Sequence, residues 1–136
     1  MITGINTATA WVLDQDSAKK FFTHTLGLEV RADVAMGPGM RWLTVGAPDQ
    51  PDVQLTLMAP GPPSLDPESA EQLKSLLAKG VLIGCTFTVP DCQAAYAELS
   101  TRGVSFVHEP QHRPWGLSTT FRDDSGSWFE LLQPTH

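Results

Sequence analysis

The feature that most constrains the fold is a pattern that occurs twice, once in each half of the chain. Asp14 follows the β-branched stretch Ile5–Leu13 and opens an amphipathic segment that Gly27 ends. Asp91 opens a second such segment, which Gly103 ends. Aspartate is a preferred helix N-cap and glycine a preferred C-terminal stop, so each half predicts a strand leading into a capped helix. The repeat predicts two similar units packed against each other.

Strand-forming segments complete each half. In the first half, strands are predicted over Ile5–Leu13, Leu28–Val34, Arg41–Val45 and Val53–Met58, around a helix over Asp16–Leu26. In the second half, strands are predicted over Val81–Val89, Val104–Val107, Ser118–Arg122 and Ser127–Leu132, around a helix over 92–101. β-branched and aromatic residues, bounded by glycine and proline, are typical of strands. The predicted fold class is α+β, with two βαβββ modules whose curved mixed sheets form a cleft.

A proline-rich segment separates the halves. The stretch APGPPSLDP, residues 59–67, excludes regular structure at that proline density. A short helix over Pro67–Leu77 follows, with one apolar stripe. Two interpretations of that stripe stay open, packing against the sheets or a lid over a pocket. The predicted organisation is a first module over 1–58, a linker and helix over 59–80, and a second module over 81–136.

Composition narrows the function classes. Only 9 lysines and arginines are present, scattered, against 15 acidic residues, so a nucleic-acid partner is not expected. No apolar run is long enough to span a bilayer, and the N-terminus lacks a signal-peptide pattern, so no membrane association and a cytoplasmic location are predicted. Cys85 and Cys92 have no Cys-x-x-Cys spacing, and free thiols are predicted.

One carboxylate stands out in the final hairpin. Residues 123–126, Asp-Asp-Ser-Gly, favour a reversing turn, and the returning strand carries Glu130 between apolar residues. If Phe129 and Leu131 face the core, strand alternation places Trp128 and Glu130 on the opposite, apolar surface. A carboxylate there must find a partner, reach water or bind a ligand. An edge-strand glutamate that simply reaches solvent is the alternative.

These elements resemble a known family. The two βαβββ units, the segment DQDSAKKFFTHTLGLEV and the C-terminal DDSGSWFELLQP are similar to the vicinal oxygen chelate superfamily. It includes glyoxalase I, extradiol dioxygenases, fosfomycin-modifying thiol transferases and bleomycin-binding resistance proteins. The resemblance covers nearly the whole chain. It implies the paired-module fold, frequent homodimers and, in the enzymes, a divalent metal held in the cleft.

The resemblance also locates the four metal-ligand positions of the enzymes. They correspond here to Thr7, Gln54, Gly84 and Glu130. Threonine is a poor ligand and glycine has no side chain, so a catalytic site with three protein ligands is not expected. The histidines do not restore one, since His24 belongs to the first helix and His108 and His112 follow Val107. No metal and no cofactor are predicted, with a divalent metal as the alternative.

Strand alternation from these positions predicts the lining of the cleft. Glu130 is the candidate catalytic residue, and the predicted ligand-binding residues are Thr7, Thr9, Trp11, Arg41, Gln54, Thr86, Thr88, Trp115 and Trp128, with Trp42 less certain. Gly84 would face the cleft beside Thr86. His112, Arg113 and Trp115 either line its mouth or form a solvated loop. Core packing can explain any single tryptophan, but several on one face indicate a surface for a flat ligand.

Two functions follow from the resemblance. The first is a metal-free small-molecule-binding protein, similar to the sequestering antibiotic-resistance proteins, that holds a planar or aromatic ligand as a homodimer. The alternative is a metal-dependent lyase, isomerase or dioxygenase, with Glu130 as metal ligand or general base.

Overall fold

The computed structural model describes residues 1–135. The first sheet has four strands: β1 (Thr7–Trp11), β2 (Glu29–Ala35), β3 (Arg41–Gly46) and β4 (Gln54–Met58). Their order is β1-β4-β3-β2. The β1–β4 pair is parallel and the other pairs are antiparallel, so the sheet is mixed. The end strand β1 is hydrogen-bonded within this sheet on one side only.

The second sheet repeats this arrangement. Its strands are β5 (Ile83–Thr88), β6 (Ser105–Phe106), β7 (Gln111–Arg113), β8 (Gly116–Arg122) and β9 (Trp128–Pro134). Their order is β5-β9-β8-β6, and β7 also pairs with β8. The β5–β9 pair is parallel, as β1–β4 is in the first sheet. The predicted α+β fold of two βαβββ modules with mixed sheets is confirmed. The second module was predicted to end at His136, which lies outside the described residues.

Three helices connect these strands. They are α1 (Gln15–Lys20), α2 (Pro67–Lys79) and α3 (Cys92–Thr101), and α1 continues as a π-helical turn over Phe21–Thr25. The N-caps repeat as the sequence predicts: Asp14 accepts a hydrogen bond from the Ser17 amide at 3.0 Å, and Asp91 accepts one from the Ala94 amide at 2.9 Å. The N-cap aspartates Asp14 and Asp91 therefore occupy corresponding places in the two modules.

Helix α1 lies between the two sheets. On one side Arg41 of β3 pairs with Asp16 of the helix. On the other, Phe22 packs edge-to-face on Phe129 of β9 with ring centroids 5.4 Å apart. Alternate residues of both sheets join this core, which contains the following buried side chains: Ala10, Val12, Leu43, Val45, Leu55, Leu57, Phe121, Phe129 and Leu131. Since each sheet turns one face to the shared core, the other face points away from it.

The structure differs from the sequence prediction in local detail. The first helix changes to π-helical geometry at Phe21, which keeps both Phe21 and Phe22 packed against the core. The strand β7 falls in a segment predicted as a loop. The strand β5 is irregular: Ile83 pairs with Trp128 and Thr86 with Glu130, so three steps on β5 match two on β9. This bulge reverses the facing of the residues before Cys85, which itself packs against the core as alternation predicts.

Candidate functional site

The outer face of each sheet is the one turned away from the shared core. In the first sheet it carries Thr9 of β1, paired with Thr56 of β4, which pairs in turn with Thr44 of β3. Thr9 is exposed, but Thr44 and Thr56 are fully buried. Their hydroxyl oxygens have no hydrogen-bond partner within residues 1–135. Trp11 and Trp42, both half-buried, lie further along this face.

The equivalent row of the second sheet has a different central residue. Thr86 of β5 pairs with Glu130 of β9, and Glu130 pairs with Thr120 of β8. Since Thr9 and Thr86 each lie five residues before a helix-capping aspartate, the two rows occupy corresponding places in their modules. Thr56 is therefore the structural counterpart of Glu130. The expected counterpart, Gln54, lies one outer-face position away, paired with Thr7.

Glu130 lies on the outer face as predicted from strand alternation. Phe129 and Leu131, its neighbours along the strand, are buried in the core, whereas Glu130 is half-buried. It forms no ion pair with any other residue in the described part of the chain. The side chains of Trp128 and Arg122 donate the hydrogen bonds at this end of the face.

Trp128 is held in place by the linker helix. Its indole Nε1 donates to the carbonyl of Gly80, the C-cap of α2, at 2.8 Å. The Arg122 guanidinium lies 4.7 Å from the ring centre and donates to the carbonyls of Gly80 at 3.1 Å and Gly126 at 2.7 Å. Gly80 has a positive φ, and a Cβ there would come within 2.7 Å of Arg122. Trp128 is therefore a fixed apolar surface whose polar atom is already bonded.

The structure places Arg41 on the face opposite to the predicted one. Arg41 shares the helix side of β3 with Leu43 and Val45. Its guanidinium bonds Asp16 at 2.6 Å and Asp33 at 2.8 Å. The hydrogen bonds from Arg41 and Lys19 hold the pKa of Asp33 well below its usual range. Strand alternation from Leu43 could have shown this, since both are odd-numbered residues of one regular strand.

Gly84 is also placed differently from the cleft position expected for it. A Cβ at Gly84 would lie 2.2 Å from the Phe129 ring, on the core side of β5. The bulge before Thr86 is the reason, because it changes the face on which the preceding residues lie. The position that the resemblance assigned to a metal ligand is therefore filled by an aromatic ring.

A divalent metal does not fit these residues. The four positions offer the hydroxyl of Thr7, the side-chain amide of Gln54, the carboxylate of Glu130, and the backbone of Gly84, which faces the core. Thr56, the structural counterpart of Glu130, adds only a hydroxyl. A catalytic zinc site usually has three protein ligands drawn from histidine, cysteine and carboxylates. No group of three or more such residues within 1–135 is arranged to hold a metal ion.

The other predicted ligand-binding residues separate into two regions. Thr7, Thr9, Trp11 and Gln54 belong to the first sheet, and Thr86, Thr88, Trp128 and Glu130 to the second. Thr7 donates to the Asn6 side chain at 2.6 Å, while Thr86 and Thr88 are exposed. Trp115, between β7 and β8, is 58% exposed. The predicted tryptophans are therefore divided between the sheets, with Trp11 in the first and Trp128 in the second.

The sequence analysis missed three residues on the outer faces, two beside Glu130 and Trp128 and one in the first sheet. Thr120 lies directly beside Glu130, Arg122 covers Trp128, and Thr56 is the counterpart of Glu130 in the first module. A signal for the first two existed in the sequence. Once residues 116–134 are read as a hairpin with the turn at 123–127, the strand register pairs Thr120 with Glu130 and Arg122 with Trp128.

The fold and this residue arrangement define the class of protein. Residues 4–131 match the family model of the Glyoxalase/Bleomycin resistance protein/Dioxygenase superfamily. The chain belongs to this superfamily, which confirms the resemblance drawn from its sequence.

Individual relatives match over nearly the full chain. YetH of Bacillus subtilis (strain 168) is 33% identical over 133 residues, covering 98% of this chain and all of that protein. The crystal structure of UcmS2 is 46% identical with a TM-score of 0.89, covering 97% of this chain and 98% of that one. TnmS3, an antibiotic binding protein from Streptomyces sp. CB03234, is 32% identical with a TM-score of 0.77 and covers 98% of both chains.

The helices of this chain are short. None within residues 1–135 combines the length and the apolar content needed to cross a bilayer.

Proposed function

We propose that this chain is a metal-free small-molecule-binding protein that holds a planar or aromatic organic ligand against the outer faces of its sheets. The observation that carries the proposal is the half-buried outer face of the second sheet, with a fixed indole, two exposed threonines and an unpaired carboxylate. Ligand sites commonly combine an apolar surface with a few polar groups in this way.

A complete cleft requires a second copy of the chain. The outer face of each sheet points away from the shared core, and we infer that each of these faces is one half of a site. If the outer face of the first sheet of one copy meets that of the second sheet of another, Trp11 and Trp128 come to line the same cleft. A twofold homodimer contains two such clefts. Ile83, on the end strand β5, is 83% exposed and is an apolar group that such a contact would cover.

The similarity to TnmS3 supports this binding role. TnmS3 is an antibiotic-binding protein and aligns with this chain over 98% of both lengths. The residues at the metal-ligand positions of the superfamily favour binding without a metal, since they supply a single carboxylate. We extend the proposal to an antibiotic or a similar aromatic natural product as the ligand.

Calorimetric titration with a panel of planar aromatic compounds tests the binding role. We expect saturable binding with one ligand per chain. A bulky substitution, Thr86→Trp, should weaken binding at least about tenfold because it fills space over the outer face. Ser100→Trp, on the exposed side of α3, is the matched control and should leave affinity unchanged. If no compound binds, or if both variants behave alike, the proposal fails.

Light scattering coupled to gel filtration tests the dimer. We expect a dimer at micromolar concentration and a shift toward monomer in Ile83→Arg, which introduces a charge at the proposed contact. Ser100→Arg should remain dimeric. A wild-type monomer at this concentration would reject the two-copy cleft.

A further inference from the structure

Glu130 is the one acidic group on the outer face of the second sheet, and its surroundings leave it without compensation. It is half-buried on a face that also carries Trp128 and Leu132. Partial burial of a carboxylate costs free energy unless a cation or a set of hydrogen-bond donors compensates it. Its nearest partners in strand register, Thr86 and Thr120, are neutral hydroxyls.

The basic residues of this face are engaged elsewhere. Arg122 donates to the carbonyls of Gly80 and Gly126 and stacks on Trp128. Arg113 pairs with Gly116, four residues from Thr120 along β8, which is roughly 13 Å at the usual strand rise. It donates to Gln111 at 2.8 Å. Neither arginine forms an ion pair with Glu130.

The negative charge of Glu130 disfavours further negative charge near it. Burial, the charge of Asp91 and the charge of Glu130 together raise the pKa of the Cys92 thiol, which lies behind this part of the sheet. The chain as a whole carries a formal charge of -6, so long-range attraction also favours cations over anions.

We propose that Glu130 selects for charge, so that the ligand of this face is an organic cation, an aromatic ring system bearing a protonated amine. The ammonium group is placed against the Glu130 carboxylate, with Thr86 and Thr120 beside it, and the ring lies on the Trp128 side of the face. The charge-assisted hydrogen bond formed there is stronger than a neutral one. This inference rests on the proposed binding function and adds the chemical class of the ligand.

Three anthracene probes of one size test the inference by fluorescence titration. They are 9-(aminomethyl)anthracene as the cation, 9-anthracenemethanol as the neutral compound and anthracene-9-carboxylate as the anion. We expect the cation to bind about tenfold or more tightly than the alcohol, and the carboxylate to bind most weakly. Glu130→Gln keeps the shape of the side chain and should abolish the preference for the cation. Glu98→Gln, on α3 and ion-paired with Arg102, is the matched control and should keep the preference.

The outcomes separate this inference from the function on which it rests. If the alcohol or the carboxylate binds as tightly as the amine, or if Glu130→Gln keeps the preference, charge selection is wrong while aromatic binding stands. If the amine binds only when a divalent metal is added, and chelator abolishes binding, the role of Glu130 is metal coordination and the inference is overturned. If none of the three probes binds, the proposed function fails and the inference fails with it.

Discussion

The two sheets differ most at the centres of their outer faces, although those centres occupy corresponding places. The first sheet has the row Thr9, Thr56 and Thr44, whereas the second has Thr86, Glu130 and Thr120. Thr56 is fully buried, and its counterpart Glu130 is half-buried. A duplicated fold therefore supplies two similar surfaces, and residue changes at corresponding positions give the first a buried, uncharged centre and the second a half-buried carboxylate.

The turns that join the last two strands of each module also differ, in the charge of the side chain that bonds their backbone. In the first module, Arg31 donates to the carbonyls of Ala47 and Gln50 in the β3–β4 turn. In the second, the buried Asp123 carboxylate accepts from the amides of Ser125 and Ser127 in the β8–β9 turn. A cation binding carbonyls and an anion binding amides are opposite solutions to the same task, which is to satisfy the polar backbone of a tight turn.

The largest expected effect is at the bulge, which exists in β5 but not in β1. Gly84→Ala places a methyl group 2.2 Å from the Phe129 ring, and we expect a loss of about 3 kcal/mol in the free energy of unfolding, the upper end of overpacking costs. Thr7→Ala, at the corresponding place in β1, should cost less than about 1 kcal/mol. Urea denaturation of both variants measures the difference. Equal losses would contradict the assigned facing of Gly84.

A second prediction concerns the buried turn carboxylate and pH. Burial, with a smaller contribution from the charge of neighbouring Asp124, raises the pKa of Asp123 to about 6. The folded state then binds this proton more tightly than the unfolded chain does. The favourable contribution of the group is therefore present below about pH 4 and is lost as pH rises through about 6. Asp123→Asn removes this titration. As pH rises from about 4 to about 8, the free energy of unfolding of the variant should therefore increase by about 3 kcal/mol relative to that of wild type.

Thermal or urea unfolding across that pH range measures the change. Asp33 provides the opposite case, since Arg41 and Lys19 lower its pKa and its contribution is lost as pH falls. Asp33→Asn should therefore be less stable than wild type at neutral pH, and this difference should shrink at acidic pH. Asp123→Asn should be more stable than wild type at neutral pH, and this difference should also shrink at acidic pH. Parallel pH dependence of the two variants would refute the assignment of Asp123.

The third prediction tests the buried hydroxyls of the first sheet. Thr56→Val replaces a buried hydroxyl that has no partner within residues 1–135, so we expect a gain of about 1 kcal/mol in the free energy of unfolding. Thr119→Val is the matched control in the second sheet, because the Thr119 hydroxyl is equally buried but donates to the His108 carbonyl at 2.6 Å. It should lose about 1 kcal/mol or more. Destabilisation by both substitutions would show that Thr56 has a partner after all.

The smallest expected effect is that of a substitution on the helix side of the first sheet, away from the proposed ligand surface. Arg41→Met breaks surface ion pairs with Asp16 and Asp33, which are worth less than about 1 kcal/mol each. Since Arg41 faces the helix, ligand affinity should stay within about twofold of wild type, well below the effect of Thr86→Trp. Calorimetric titration compares the two variants. A large loss of affinity in Arg41→Met would show that Arg41 belongs to the ligand-binding surface.

Much of the site was predictable because strand alternation is a local rule. From Phe129 and Leu131 in the core, it follows that Trp128 and Glu130 lie on the other face, and the structure has this arrangement. The same rule failed for Gly84, since a bulge adds one residue and reverses the facing of everything before it. Applied from Leu43, the same rule places Arg41 on the helix side of β3, where the structure has it.

The sequence by itself determined the duplication, the two aspartate-capped helices, and the threonine and glycine at Thr7 and Gly84, because these depend on residue identity and short-range spacing. The tertiary structure alone decided that α1 lies between both sheets, and that Arg122 and Gly80 hold Trp128. Those features depend on contacts between residues dozens of positions apart. No local pattern encodes such contacts, since they arise only when the elements pack together.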